Sequence, residues 1–125
     1  MARVVALVPD LLFGSKIHAS LTAAGHDVVL TGIEADARAQ APSAAVFVVD
    51  LASGTVEGAQ LVEAMRTAGE LGGTRTLAFY SHVDVEVREQ VIAAGFDLVV
   101  PRSRMNREGA DLVTRLAAAD GSAAG

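Results

Sequence analysis

Ala44-Ala45-Val46-Phe47-Val48-Val49-Asp50 is an apolar run rich in β-branched residues that ends on a carboxylate and gives way to Leu51-Ala52-Ser53-Gly54. An uninterrupted apolar run of this length describes a strand covered on both faces, as in a parallel sheet. In an open α/β sheet, the loops at the carboxyl ends of the strands line the ligand crevice. Asp50 is therefore either a functional group or a local cap, because strand-end aspartates also start turns and helices.

Working outward, Val4 to Val8 is a second continuous apolar run, followed by Phe13, Ile17, Leu21 and Ala24 at helical spacing. Gly25 stands where the helix stops, and Asp27-Val28-Val29-Leu30 reads as the next strand, closed by Thr31-Gly32. Glu34 to Gln40 is a short Ala-rich helix bounded by Pro42. Beyond Asp50, Gly58, Leu61, Val62, Met65 and Ala68 form a helical stripe ending at Gly69. Gly72-Gly73 leads to the strand Thr76-Leu77-Ala78-Phe79-Tyr80. Asp84 is placed to cap a helix carrying Val87, Val91 and Ala94 inward, and Gly95 ends it. Leu98-Val99-Val100 is a fifth strand, and Asn106 is placed to cap a last helix with Leu112, Val113 and Leu116 inward.

The pattern is (βα) five times, with a local echo: Ala23-Ala24-Gly25-His26-Asp27-Val28-Val29 matches Ala93-Ala94-Gly95-Phe96-Asp97-Leu98-Val99. Strands alternating with helices imply a doubly wound parallel α/β sheet, for which the common five-stranded, flavodoxin-like order is 2-1-3-4-5. The switch point then falls between the strands ending near Asp10 and Asp50. The expected organisation is one domain over 1–119 and a fraying tail over 120–125.

The 125 residues carry a net charge of −5, with 51% hydrophobic and 20% charged residues, which is globular composition. Of 10 basic residues only Lys16 is a lysine, and no polybasic run exists to neutralise a nucleic-acid backbone, so direct nucleic-acid binding is not expected. The absence of cysteine excludes disulfides, thiolate catalysis and Cys-based zinc sites, and fits a cytoplasmic protein. Pro9 and Asp10 end the first apolar run far short of a membrane span. His18, His26 and His82 show no i, i+4 pairing and read as solvent-facing or capping residues. No GxGxxG, Walker or GxSxG motif occurs, and the loop after the first strand lacks a Ser/Thr-rich flavin-phosphate pattern.

The carboxyl edge of such a sheet gathers Asp10, Asp50, Ser81 and Arg102. One carboxylate can accept a phosphoryl group while another holds Mg²⁺, a hydroxyl binds a phosphoryl oxygen and a cation offsets the charge. At these residues the chain resembles the receiver domain of two-component response regulators (CheY-like), over nearly its full length apart from the tail. The resemblance places Asp50 at the family's phospho-accepting aspartate, Ser81 at its Ser/Thr and Arg102 at its lysine. Val100-Pro101-Arg102-Ser103 looks like a Pro-Lys-Ser variant, and Asp84 to Gly95 is similar to the family's fourth helix.

Three departures mark an atypical member, a pseudo-receiver. Val8-Pro9-Asp10 offers one carboxylate, set about one position late, where the family has two adjacent acids. Arg102 presents a planar fork in place of a compact ammonium, and would either pair with Asp50 or reach a phosphoryl group differently. Val99 stands where receivers carry a switching Tyr or Phe.

The expected function is a stand-alone receiver-like signalling module with a degenerate phosphorylation site. It acts through protein–protein interaction and is not an enzyme; the alternative is a working phospho-acceptor that a histidine kinase phosphorylates on Asp50 with Mg²⁺. No cofactor is required, and Asp10 and Asp50 are the candidates for weak Mg²⁺ binding. The expected partners are a histidine kinase or downstream regulator and a second copy. The expected contact surface is the fourth helix, fifth strand and fifth helix, with Arg102, Arg104 and Arg107 as a basic patch around Met105.

Overall fold

The computed structural model describes residues 2–51, 57–81 and 85–124. In chain order the elements are β1 (Arg3–Leu7), α1 (Leu11–Ala23), β2 (Asp27–Thr31), α2 (Glu34–Gln40), a 3₁₀ turn (Ala41–Ser43), β3 (Val46–Asp50), α3 (Glu57–Thr67), β4 (Arg75–Tyr80), α4 (Val85–Ala94), β5 (Leu98–Pro101) and α5 (Arg102–Ala124). Every strand pairing is parallel, in the order β2-β1-β3-β4-β5. This is the doubly wound flavodoxin-like arrangement that the alternation of apolar runs and helical stripes predicts.

The period of two along each strand sorts the core into two layers. Val5, Leu7, Phe47, Val49 and Ala78 face α2, α3 and α4, where Ala37, Val62, Met65, Val91 and Ala94 meet them. Val4, Ala6, Val46, Val48, Leu77 and Phe79 face α1 and α5, against Phe13, Ile17, Leu21, Met105, Leu112 and Val113. Residues 46–49 of β3 are 0% exposed, which is why that strand reads as continuously apolar. Truncating Phe47 or Phe79 to Ala would cost about 3–5 kcal/mol through lost transfer energy and the cavity left behind.

Two glycine positions fix how the helices meet the sheet. Gly25 and Gly95, the paired stops of the local echo, have φ of 93° and 71°, the left-handed region that ends a helix without a Cβ penalty. Gly58 brings α3 against β3: a Cβ there would lie 2.7 Å from Val49 Cγ1 and 3.1 Å from Leu51 Cδ2. The strand that ends on Asp50 is thus clamped by a contact that only glycine allows.

Several local expectations need correction. Ala24 and Ala68 are exposed, since α1 and α3 have ended before them. α5 begins at Arg102, directly after β5, so the exposed Asn106 lies inside the helix and is not its cap. The apolar stripe begins two turns earlier than Leu112 because Met105, 2% exposed, already faces the core. Ser53, Gly54, His82 and Asp84, including the cap expected at Asp84, lie outside the described residues. Among the described residues no helix is long and apolar enough to cross a membrane.

Candidate functional site

Parallel strands end together, and the register carries the predicted residues to one edge. Asp50, the last residue of β3, lies level with Phe79, and Tyr80 lies level with Pro101. Ser81 therefore follows β4, and Arg102 follows β5, at the same carboxyl edge where Asp10 precedes α1. Asp50 is half-buried and Ser81 is exposed. Ser81 and Arg102 line one open cleft of about 490 Å³ with Phe13, Lys16, Pro101, Ser103 and Asn106.

Asp10 is the N-cap of α1: its Oδ1 accepts a hydrogen bond from the Phe13 N–H at 3.0 Å. Its Oδ2 accepts one from Arg102 Nη2 at 3.2 Å. The Phe13 N–H, with help from the Arg102 guanidinium, holds the Asp10 carboxyl below the usual carboxylate range against a smaller opposing desolvation. The guanidinium also lies 4.1 Å from the centroid of the Phe13 ring, a cation–π contact. Phe13 packs in turn on Phe79, with centroids 5.1 Å apart and planes tilted by 56°. Arg102 thus bridges the β1–α1 loop, α1 and the β5–α5 junction.

These contacts bear on the expected cation. Mg²⁺ demands near-octahedral oxygen ligands and keeps several waters. Asp10 has one oxygen capping a helix and the other against a guanidinium, and no second acid adjoins it in sequence. Among the described residues no group of three or more His, Asp or Glu could hold a metal ion. The donor set at Asp10 does not fit Mg²⁺ while Arg102 is in place.

Phe13 is legible in the sequence only as a member of a helical stripe and Lys16 only as the single lysine, yet both line the cleft. A second correction concerns His26, which is 7% exposed and not solvent-facing. Its Nδ1 accepts from the Ala2 N–H at 3.2 Å, and its Nε2 lies 2.9 Å from Thr114 Oγ1, whose hydroxyl donates to the Ala110 carbonyl at 2.8 Å. With Nδ1 as acceptor, these partners place the ring proton on Nε2. His18 is exposed, as expected. The arginine patch is also less basic than it reads. Arg104 Nε and Arg107 Nη2 lie 3.4 Å and 3.6 Å from Glu108 Oε2, and Met105 is interior.

No family model matches this sequence, and no curated protein matches it. Solved structures do. The receiver domain of the Francisella response regulator 1452 is 16% identical with a TM-score of 0.78, over 94% of this chain and 97% of that one. The chemotaxis protein CheY4 of Vibrio cholerae is 20% identical with a TM-score of 0.77, over 93% and 98%. A CheY-like receiver domain protein of Methanospirillum hungatei is 14% identical with a TM-score of 0.80, over 98% of each chain. The fold is that of CheY-like receiver domains. At these identities the likeness establishes architecture, and the chemistry of the carboxyl edge is argued from the residues themselves.

Proposed function

We propose that this chain is a receiver-like signalling module that acts by binding a protein partner, with a degenerate phosphorylation edge and no turnover chemistry. The observation that carries this reading is the engagement of Asp10 as a helix cap and as the partner of Arg102, within a fold whose active members use that edge for phosphoryl transfer. A module with this edge signals through its surface. Partners of the expected class are a histidine kinase or a downstream regulator.

The contact surface on this reading comprises α4, β5 and α5, and its occupant is a second copy of the chain. Ile92 is 71% exposed and Val99, on an edge strand, is 37% exposed. They flank a groove of about 370 Å³ with Tyr80, Arg88 and Val91. Arg88 supplies a cation to the surface of a second molecule whose net charge is −5. Apolar residues beside an arginine are the composition of an interface centre.

The second reading, a working phospho-acceptor, is favoured by one feature: Asp50 ends the central strand at the edge that also holds Ser81 and Arg102. In that reading the phosphoryl group of acetyl phosphate passes to a carboxylate oxygen of Asp50 and acetate leaves. Intact mass after incubation with acetyl phosphate and Mg²⁺, beside an Asp50→Asn control, separates the two. The leading reading expects no adduct on either protein, and an adduct lost in Asp50→Asn establishes the second.

A further inference from the structure

We infer that Arg102 is the resident counter-ion of the carboxyl edge, standing at Asp10 where a divalent cation would stand, so that the guanidinium and the cation exclude one another. The inference is independent of whether Asp50 is phosphorylated. It begins with the oxygen inventory of Asp10. Oδ1 is fixed by the Phe13 N–H at 3.0 Å, and giving it to a metal would uncap α1. Oδ2 alone remains, and Arg102 Nη2 lies 3.2 Å from it. A divalent ion bound to that oxygen at about 2.0–2.1 Å would sit against a like charge.

The guanidinium is also held from its other side. The Phe13 ring lies under it at 4.1 Å, and that ring is 6% exposed and backed by Phe79. Asp10 is therefore balanced by a side chain of the chain itself, and a divalent cation must compete with that side chain for Oδ2. Removing the guanidinium turns Asp10 from a paired carboxylate into an available ligand.

The test is a titration of the full chain with Mg²⁺ and separately Mn²⁺, followed by amide shifts or by paramagnetic broadening at Phe13. The natural chain is expected to bind in the millimolar range or weaker. Arg102→Gln is expected to bind at least about tenfold more tightly, the scale of removing one like charge from beside the ion. Arg102→Met keeps an aliphatic contact on Phe13 and repeats the measurement with the packing largely preserved. Combining Arg102→Gln with Asp10→Asn is expected to abolish the gain. Affinities equal within about twofold in the natural chain and both single variants would overturn the inference, at a scale well under the tenfold expected for a removed like charge. So would a gain that survives the loss of the Asp10 charge.

Discussion

At the amino edge of the sheet, Asp97 Oδ2 accepts hydrogen bonds from the Thr76 N–H at 2.7 Å and the Thr76 hydroxyl at 3.2 Å, and Thr76 is 0% exposed. At the carboxyl edge, Asp10 and Arg102 meet at 3.2 Å with 41% and 37% of their side chains exposed. Both edges join strands to helices through a partly exposed carboxylate, 28% at Asp97, but only at the amino edge is the hydrogen-bonding partner, Thr76, buried. The amino edge is extended by Thr74, whose buried hydroxyl lies 3.1 Å and 2.8 Å from the Ala41 and Ala44 carbonyls, and by Arg66, which donates to the Ala94 carbonyl at 3.1 Å. Buried polar groups with complete partners specify one arrangement, whereas half-exposed pairs exchange partners at little cost. The difference locates stability at one end of the strands and chemistry at the other.

The strongest way to break this contrast is to remove Asp97. Asp97→Ala leaves the buried Thr76 N–H without its carboxylate, so we expect a loss of about 1–3 kcal/mol, the cost of a buried donor left unsatisfied. The denaturant midpoint should fall with an unchanged slope. A loss below about 0.5 kcal/mol, the scatter of ordinary surface substitutions, would make the amino edge no more structural than the carboxyl edge. His26→Phe should follow, at about 1–3 kcal/mol, since it fills the volume but abandons the Ala2 and Thr114 contacts. Faster amide exchange at Ala2 and along β1 would identify the cause.

The carboxyl edge is sharpened by acid. Asp10 ionises below the usual carboxylate range, so its cap and its Arg102 pair contribute fully above the ordinary value and are lost as pH falls through the lowered one. Glu70, held down by its hydrogen bonds to Arg38, follows the same sign. The Phe13 amide shift should therefore titrate with a midpoint below about 3.9, the ordinary aspartate value. In Asp10→Asn that titration should vanish while the Arg38–Glu70 response persists. A Phe13 midpoint at or above the ordinary value would mean that the pair does not hold.

These contrasts also explain what the sequence discloses. The runs 46–49 and 77–79 are legible because burial on both faces leaves no polar position, and the stops at Gly25 and Gly95 are legible because left-handed backbone selects glycine. The placement of Asp50, Ser81 and Arg102 at one edge follows from strand ends alone. The partners of those residues do not. Asp10 and Arg102 are separated by 92 positions, and His26 and Thr114 by 88, so no local spacing announces either pair. Phe13 is visible only as a member of a helical stripe, and its role beneath a guanidinium depends on how α1 lies against α5. Asn106 reads as a cap because local capping preference competes with tertiary packing, and Met105, buried two turns before Leu112, decides the outcome.

The smallest expected effect concerns the arginines that make α5 look basic. Arg104 and Arg107 share Glu108 at 3.4 Å and 3.6 Å, and the side chains of Arg104 and Arg107 are 42% and 65% exposed. Exposed pairs contribute about 0.2–1 kcal/mol, and an arginine that already has an acid beside it offers less charge to an incoming partner. Reversing both to Glu should therefore shift stability by no more than about 1 kcal/mol. It should also leave sedimentation unchanged, because Met105, the apolar member of this segment, faces the core. Ile92→Glu is the contrasting variant. Ile92 sits exposed beside Val99 and the α4–β5 groove, so a charge there should cost little in folding yet reduce self-association by about tenfold or more, the scale of losing an interface anchor. If the double arginine reversal disperses an associated species and Ile92→Glu does not, the contact surface lies on α5 and the apolar groove is only solvated surface.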